Sequence, residues 1–148
     1  MEKNIVDGRI WGLQPKYDSG RMIHIYEAIK DKEVKSIIDI ACGYGIVADG
    51  LRWAMPEAEI EQFDLFENQE WAHLDIKPYV MDVVDFVKTD KKYDVVLFLN
   101  SFRNWQYQAE FKEWLKGHAK YFISSEIGEE VEIIGEDGSG HKLELWKL

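Results

Sequence analysis

A single cysteine, Cys42, leaves this chain of 148 residues without a partner for an internal disulfide. A basic leader followed by an apolar core segment is missing as well, and no apolar run approaches the twenty or so residues that cross a bilayer. A soluble cytoplasmic protein with no membrane partner is therefore expected. Basic residues are scarce: 18 Lys and Arg stand against 28 Asp and Glu, a formal net charge of -10. That balance argues against a broad nucleic-acid-binding surface, although a local basic patch would be compatible with it. Hydrophobic residues at 46% and charged ones at 31% are too many of the first and too ordinary in the second for a disordered chain. One domain spanning 1–148, long enough to bury a core, is the expected organisation.

The chain is organised around Ser36 to Gly45, which reads as a buried strand breaking into a glycine turn and then a helix. Ile37, Ile38 and Ile40 form a short β-branched run, interrupted by Asp39, of the kind covered on both faces in a parallel sheet. Gly43 and Gly45 permit a tight turn and a close approach of backbone N–H groups to a ligand. Helical spacing resumes at Ile46 and continues through Val47, Leu51 and Ala54. A helix N-terminus then points at whatever sits over the turn. Gly43-Tyr-Gly45-Ile-Val-Ala48 also fits the dinucleotide fingerprint G-x-G-x-x-A.

Asp39-Ile-Ala-Cys-Gly-Tyr-Gly45 resembles the first motif of the class I S-adenosylmethionine-dependent methyltransferases: a strand, an acid and a Gly-x-Gly turn. The acid inside the strand favours that family over nicotinamide-binding folds, which usually carry an apolar residue or glycine there. The resemblance covers roughly everything after Ser36. It implies an α/β, Rossmann-like, mostly parallel seven-stranded sheet in the order 3-2-1-4-5-7-6, with S-adenosyl-L-methionine bound along Asp39, Ala41, Cys42, Gly43, Tyr44 and Gly45.

Ahead of that core, Met1 to Gly20 reads as irregular, punctuated by Gly8, Gly12, Pro15 and Gly20. Trp11, Tyr17 and Arg21 are candidates to line the cofactor or substrate pocket, as such leaders often do in the resembling family; the alternative is that Trp11 and Tyr17 cover a sheet face. Ser19 is placed to cap a helix with the apolar stripe Met22, Ile25, Tyr26 and Ile29. His24 on that helix reads as a packed or exposed residue rather than a catalytic one.

Pro56 stops the next helix, and Glu59 to Asp64 reads as a second strand ending in an acid. Asp64 follows Gly45 by the roughly twenty residues at which a carboxylate reaches a ribose in open α/β sites. The resemblance assigns it the two ribose hydroxyls, with Leu65 and Phe66 beside the adenine; a cap for a helix starting at Glu67 is the alternative use. Lys77 to Asp82 is a third short strand. Asp82, with the backbone of Val83, is either the adenine partner implied by the family or a helix cap.

Tyr93 to Leu99 is the strongest strand, a continuous apolar run for the centre of a parallel sheet. Beyond it, Asn100-Ser-Phe-Arg-Asn-Trp105 lies where open α/β sheets place their ligand crevice. The amino-methylating nucleic-acid enzymes of the family carry two prolines and an aromatic after the first residue of this loop; here both prolines are absent, and no Pro-Cys nucleophile exists for cytosine carbon chemistry. Asn100 and Arg103 are the candidate catalytic residues. Arg103 suits an anionic substrate or the cofactor carboxylate, and an exposed arginine near a helix start is the plainer alternative.

Tyr107, Phe111, Trp114 and Leu115 form a core stripe stopped by Gly117. Lys120 to Ser125 reads as a fifth strand, and Glu130–Gly135 with His141–Lys147 as a terminal hairpin. Only a few residues separate strand five from that hairpin, so the helix the family places there is expected to be missing. The sheet face it would cover is expected to close either on a second copy of the chain, as a homodimer, or on the leader. No metal-ligand spacing is present. The function expected from the sequence is methyl transfer to an oxygen or nitrogen of a small-molecule or sugar-like acceptor; the alternatives are a DNA or RNA methyltransferase with a degenerate fourth motif, and a non-catalytic S-adenosylmethionine-binding interaction module.

Overall fold

The computed structural model describes residues 1, 15–127, 131–136 and 140–148, with the side chains of 15–19 and of Asn100 outside the description. Trp11 and the glycines Gly8 and Gly12 thus lie outside the described residues, as does the side chain of Tyr17. Seven strands form one sheet in the order β3-β2-β1-β4-β5-β7-β6. They are β1 (Ser36–Ile40), β2 (Glu59–Asp64), β3 (Tyr79–Val80), β4 (Tyr93–Phe98), β5 (Ala119–Ser125), β6 (Glu132–Glu136) and β7 (Lys142–Lys147). The first five are parallel, and β7 pairs antiparallel with both β5 and β6. This is the order that the family resemblance implies.

The alternation of side chains along β1 divides the core in two. Ile37 shares one face with Val95, Leu97, Ile123, Leu143 and Leu145, covered by α1 (Pro15–Ile29) and α2 (Ile46–Ala54). Ile38 and Ile40 share the other with Phe63, Val96, Phe98 and Phe122, covered by α3 (Val83–Phe86) and α4 (Gln108–Leu115). That second face is aromatic: Phe102 is fully buried among Phe98, Phe111 and Phe122, with ring centroids 5.0 to 5.6 Å away. Each ring so buried contributes roughly 1.5–3 kcal/mol, which fixes the chain leaving β4 firmly against the sheet.

Three boundaries differ from expectation. α1 opens at Pro15 and runs through Ser19 and Gly20, so Ser19 lies inside the helix and not at its start. Proline suits the first helical position, and the packing of α1 against α2 and β6 outweighs the roughly 1 kcal/mol cost of Gly20. No α-helix follows β2; a five-residue 3-10 helix, Gln69–His73, takes its place, capped by Asn68, whose side chain accepts from Glu70 N–H at 2.9 Å. β3 is only two residues long.

Between β5 and β6 the described residues contain no helix. On the sheet face left there, Trp146 is half-buried beside Phe122, with the Lys112 ammonium 4.9 Å from its ring centre, while Ile133 is 48% exposed. Among the described residues no helix is long and apolar enough to cross a membrane.

Candidate functional site

The chain turns sharply over the end of β1. Ala41, Gly43 and Gly45 all adopt left-handed backbone conformations, with φ of 56°, 61° and 80°. Glycine tolerates this; at Ala41 it costs roughly 1–2 kcal/mol, strain of the kind found where a turn is held for function. Gly45 is also the N-cap of α2 and has no side chain with which to cap it.

Two side chains from outside the turn clamp Gly43. Its N–H donates to Asp64 Oδ2 at 2.8 Å, and its carbonyl accepts from Trp71 Nε1 at 2.8 Å. Asp64 is the last residue of β2, beside the end of β1, and its other oxygen accepts from Leu65 N–H at 2.6 Å. The carboxylate thus anchors the glycine turn and caps no helix. Burial pushes its pKa above the ordinary value despite the two backbone bonds that pull it down. A carboxylate has about four acceptor positions. Among the described residues the two N–H groups use two of them, and two remain open.

Gly45 makes its close approach to protein. A β-carbon there would stand 2.5 Å from Leu74 Cδ1 and 3.0 Å from Gln62 Nε2. Gln62, wholly buried in β2, donates to the carbonyls of Gly45 at 3.2 Å and Ile76 at 2.9 Å. On α2, Asp49 accepts from the N–H groups of Asp75 and Ile76 at 2.9 and 3.0 Å. The short 3-10 helix and the loop after it therefore pack onto α2 and the turn. Tyr44 lines an open hollow of about 380 Å³ there with Ile46, Glu70, His73 and Leu74.

The remaining cofactor candidates fall into two groups. Leu65 and Phe66 are half-buried just past Asp64, and Asp82 and Val83 are 8% exposed at the end of the neighbouring β3. Asp82 Oδ1 accepts from Val84 N–H at 3.0 Å, so the helix-cap use is realised. Asp39 and Cys42 are 2% and 9% exposed, inside the sheet and under the turn. Cys42 N–H donates to Phe63 O at 3.1 Å and so extends the β1–β2 pairing by one step. These two support the turn more than they line it.

Past β4, a 3-10 helix of Asn100–Asn104 carries the candidate catalytic residues. Asn100 opens that helix, and its side chain is outside the described residues. Arg103 is half-buried, and its Nη1 lies 2.5 Å from His141 Nε2. His141 immediately precedes β7, and its Nδ1 is 3.8 Å from Glu126 Oε2, just past β5. All three stand at the carboxyl ends of the parallel strands, as do Asp64 and the glycine turn. On α1, Arg21 is 3% exposed, and His24 packs against Gly135 of β6.

Trp71, Gln62 and His141 are site residues that the sequence reading missed. Trp71 and Gln62 carry no motif and stand among polar neighbours along the chain, so nothing in the sequence singles them out. His141 reads in the sequence only as the start of a strand. Among the described residues no cluster of His, Cys, Asp and Glu could hold a metal ion.

No protein-family model matches the sequence, and no curated protein matches it. Solved structures do. The plantazolicin methyltransferase BpumL, in complex with a monoazolic desmethylPZN analog and SAH, aligns at a TM-score of 0.56 and 24% identity over 74% of this chain and 47% of its own. The methyltransferase domain of bacterial CtHen1 aligns at 0.57 and 16% identity over 74% of this chain and 66% of its own. Coclaurine N-methyltransferase, bound to N-methylheliamine and SAH, aligns at 0.57 and 10% identity over 73% and 35%. The chain spans under half the length of BpumL. With the sheet order and the glycine turn, these likenesses establish that the chain has the fold of the class I S-adenosylmethionine-dependent methyltransferases.

Proposed function

We propose that the chain is an S-adenosylmethionine-dependent methyltransferase, one domain over 1–148, that acts in the cytoplasm on an oxygen or nitrogen of a small-molecule or sugar-like acceptor. The observation that carries this reading is the strained turn whose Gly43 is bonded to the Asp64 carboxylate on the adjacent parallel strand. The residues fit the cofactor: Asp64 keeps two acceptor positions for the ribose hydroxyls, Leu65 and Phe66 offer apolar surface for adenine, and Asp82 or the Val83 backbone serves its amino group. Asp39, Ala41, Cys42, Gly43, Tyr44 and Gly45 shape the turn that receives the rest. BpumL and coclaurine N-methyltransferase, both solved with SAH, support the same reading.

When bound, the cofactor supplies a methyl group already activated by the sulfonium charge, so the protein's contribution is orientation and exclusion of water. In this reading Asn100 orients the acceptor atom and Arg103 holds an anionic group. Asn100→Ala turnover within a few-fold of wild type would remove the first role. The net charge of -10 and the missing prolines count against a nucleic-acid acceptor. A homodimer closing the hairpin face is part of the proposal, and a monomeric mass in solution would remove it.

The deciding experiment is calorimetric titration with S-adenosylhomocysteine and, separately, with reduced nicotinamide dinucleotide. Micromolar binding of the first, lost in Asp64→Ala, is expected. Preference for the nicotinamide, or no binding of either, would overturn the assignment of the Asp39 to Gly45 turn. Binding with no acceptor found and a persistent protein partner would point to a silent interaction module.

A further inference from the structure

Arg103 occupies an unusual electrostatic position for so acidic a chain. Among the described residues its guanidinium makes no ion pair with a carboxylate. Its one described bond is to His141 Nε2. Arginine stays protonated and can only donate, so Nε2 is the accepting nitrogen and the ring proton sits on Nδ1, facing Glu126. The order Glu126, His141, Arg103 then steers a cation without neutralising it.

Three separate segments set that cation in place. The helix bearing Arg103 is tied down by the wholly buried Phe102, whose carbonyl accepts from Gln108 Nε2 at 2.6 Å. Glu126 N–H donates to Lys142 O at 2.8 Å, which locks the end of β5 beside the start of β7. In the sheet order, Asp82, Asp64 and the glycine turn belong to the β3-β2-β1 half, and Arg103, Glu126 and His141 to the β4-β5-β7 half. At about 4.8 Å per strand, β4, which leads into the helix bearing Arg103, is roughly 10 Å from β2, and β7, which follows His141, roughly 19 Å. The guanidinium therefore addresses a different part of the ligand assembly from the Asp64 carboxylate.

We propose that Arg103, positioned by His141, is a subsite for a carboxylate carried by the methyl acceptor. This deepens the methyltransferase reading and rests on it. A guanidinium held at one Nη1 hydrogen keeps a planar fork of donors, matched to two carboxylate oxygens. A carboxylate brings one negative charge; a phosphate dianion would bring a second into the neighbourhood of Glu126.

The test uses the full chain, labelled with ¹⁵N in its arginine side chains and titrated with sodium benzoate and with benzamide, the same ring without the charge. The Arg103 Nε–H signal, identified by its absence in Arg103→Gln, is expected to move with benzoate and not with benzamide. Arg103→Gln should weaken benzoate binding about ten- to a hundredfold, the loss of one or two charge-assisted bonds. Arg103→Lys should recover only part of it, a point charge replacing a fork. His141→Ala should reduce the preference for benzoate over benzamide with an unchanged urea midpoint, which a purely structural role would not do.

An Arg103 signal indifferent to benzoate would overturn the proposal. So would an Arg103→Gln variant that loses S-adenosylhomocysteine as severely as benzoate, since the fork would then belong to the cofactor carboxylate. The underlying reading is checked in the same samples by S-adenosylhomocysteine shifts at the Gly43 and Gly45 amides. Failure there with the benzoate response intact removes the methyltransferase reading and with it the methyl acceptor as the bearer of the carboxylate, leaving Arg103 a carboxylate site of another kind. Success there without a benzoate response removes only the subsite.

Discussion

Asp64 and Asp94 stand on the two strands that flank β1, at opposite edges of the same sheet, and they are treated in opposite ways. Asp94, the second residue of β4, accepts from the N–H groups of Lys35 at 2.7 Å and Ser36 at 3.2 Å, and pairs with Lys120 at 3.2 Å. Burial pulls its carboxyl up, yet these partners outweigh it and hold the pKa below the ordinary range. Asp64, the last residue of β2, also has two backbone donors but no cation within ion-pair distance among the described residues, and burial wins. The acid at the amino edge is neutralised and closes the fold. The acid at the carboxyl edge is half-buried without a neutralising cation among the described residues, and under the proposed function it receives donors from the cofactor.

The largest expected effect separates the two. Asp64→Ala should weaken S-adenosylhomocysteine binding at least about a hundredfold, roughly 3 kcal/mol for two charge-assisted bonds. Its unfolding free energy in urea should change by about 1 kcal/mol or less, because the lost backbone bonds are offset by the removal of a buried charge. A large stability loss with unchanged binding would make Asp64 a structural acid like Asp94.

Gly45→Ala comes next and works within the carboxyl edge. The left-handed backbone costs about 1–2 kcal/mol, and the collision with Leu74 and Gln62 about 1–3 kcal/mol. A stability loss of about 2–5 kcal/mol by urea denaturation is therefore expected. Leu74→Ala in the same chain should restore part of it. No restoration would show that the turn, and not the contact with the following loop, demands glycine there.

Asp94→Ala should lose about 1–2 kcal/mol of stability, the worth of its bonds to two backbone donors and a lysine, and leave S-adenosylhomocysteine binding within about twofold. The contrast explains what could be read from the sequence. The strands, the glycine turn and the place of Asp64 were legible because they rest on local patterns: β-branched runs, glycines that permit positive φ, and an acid at a set interval from the turn; the sheet order followed from the family resemblance. Asp94 was read only as part of an apolar strand, since its partners at Lys35, Ser36 and Lys120 come from two other strand starts. The start of α1 was misplaced for a related reason. Pro15 and Gly20 read as breakers, but helix packing tolerates both. Trp71 and His141 joined the site through hydrogen bonds to Gly43 and Arg103, pairings made by the fold between residues 28 and 38 positions apart. Spacing along the chain carries no trace of them.

The smallest effect is in pH, and here the two acids should pull in opposite directions. Asp94's lowered pKa means that its stabilisation is complete above the unfolded value of 3.8 and is lost as pH falls below that toward the folded value. Asp64's raised pKa means that the folded state binds the proton more readily than the unfolded chain, so its contribution falls as pH rises through the interval above 3.8. Urea unfolding of wild type, Asp64→Asn and Asp94→Asn from about pH 3 to 6 isolates each slope as a difference from wild type. Saturating S-adenosylhomocysteine then sharpens the comparison. Donors from a bound diol favour the ionised carboxylate, so the Asp64 slope should shrink while the Asp94 slope stays. An Asp64 slope unmoved by the ligand would mean that the carboxylate never meets it, and would leave the Gly43 anchor as the residue's whole purpose.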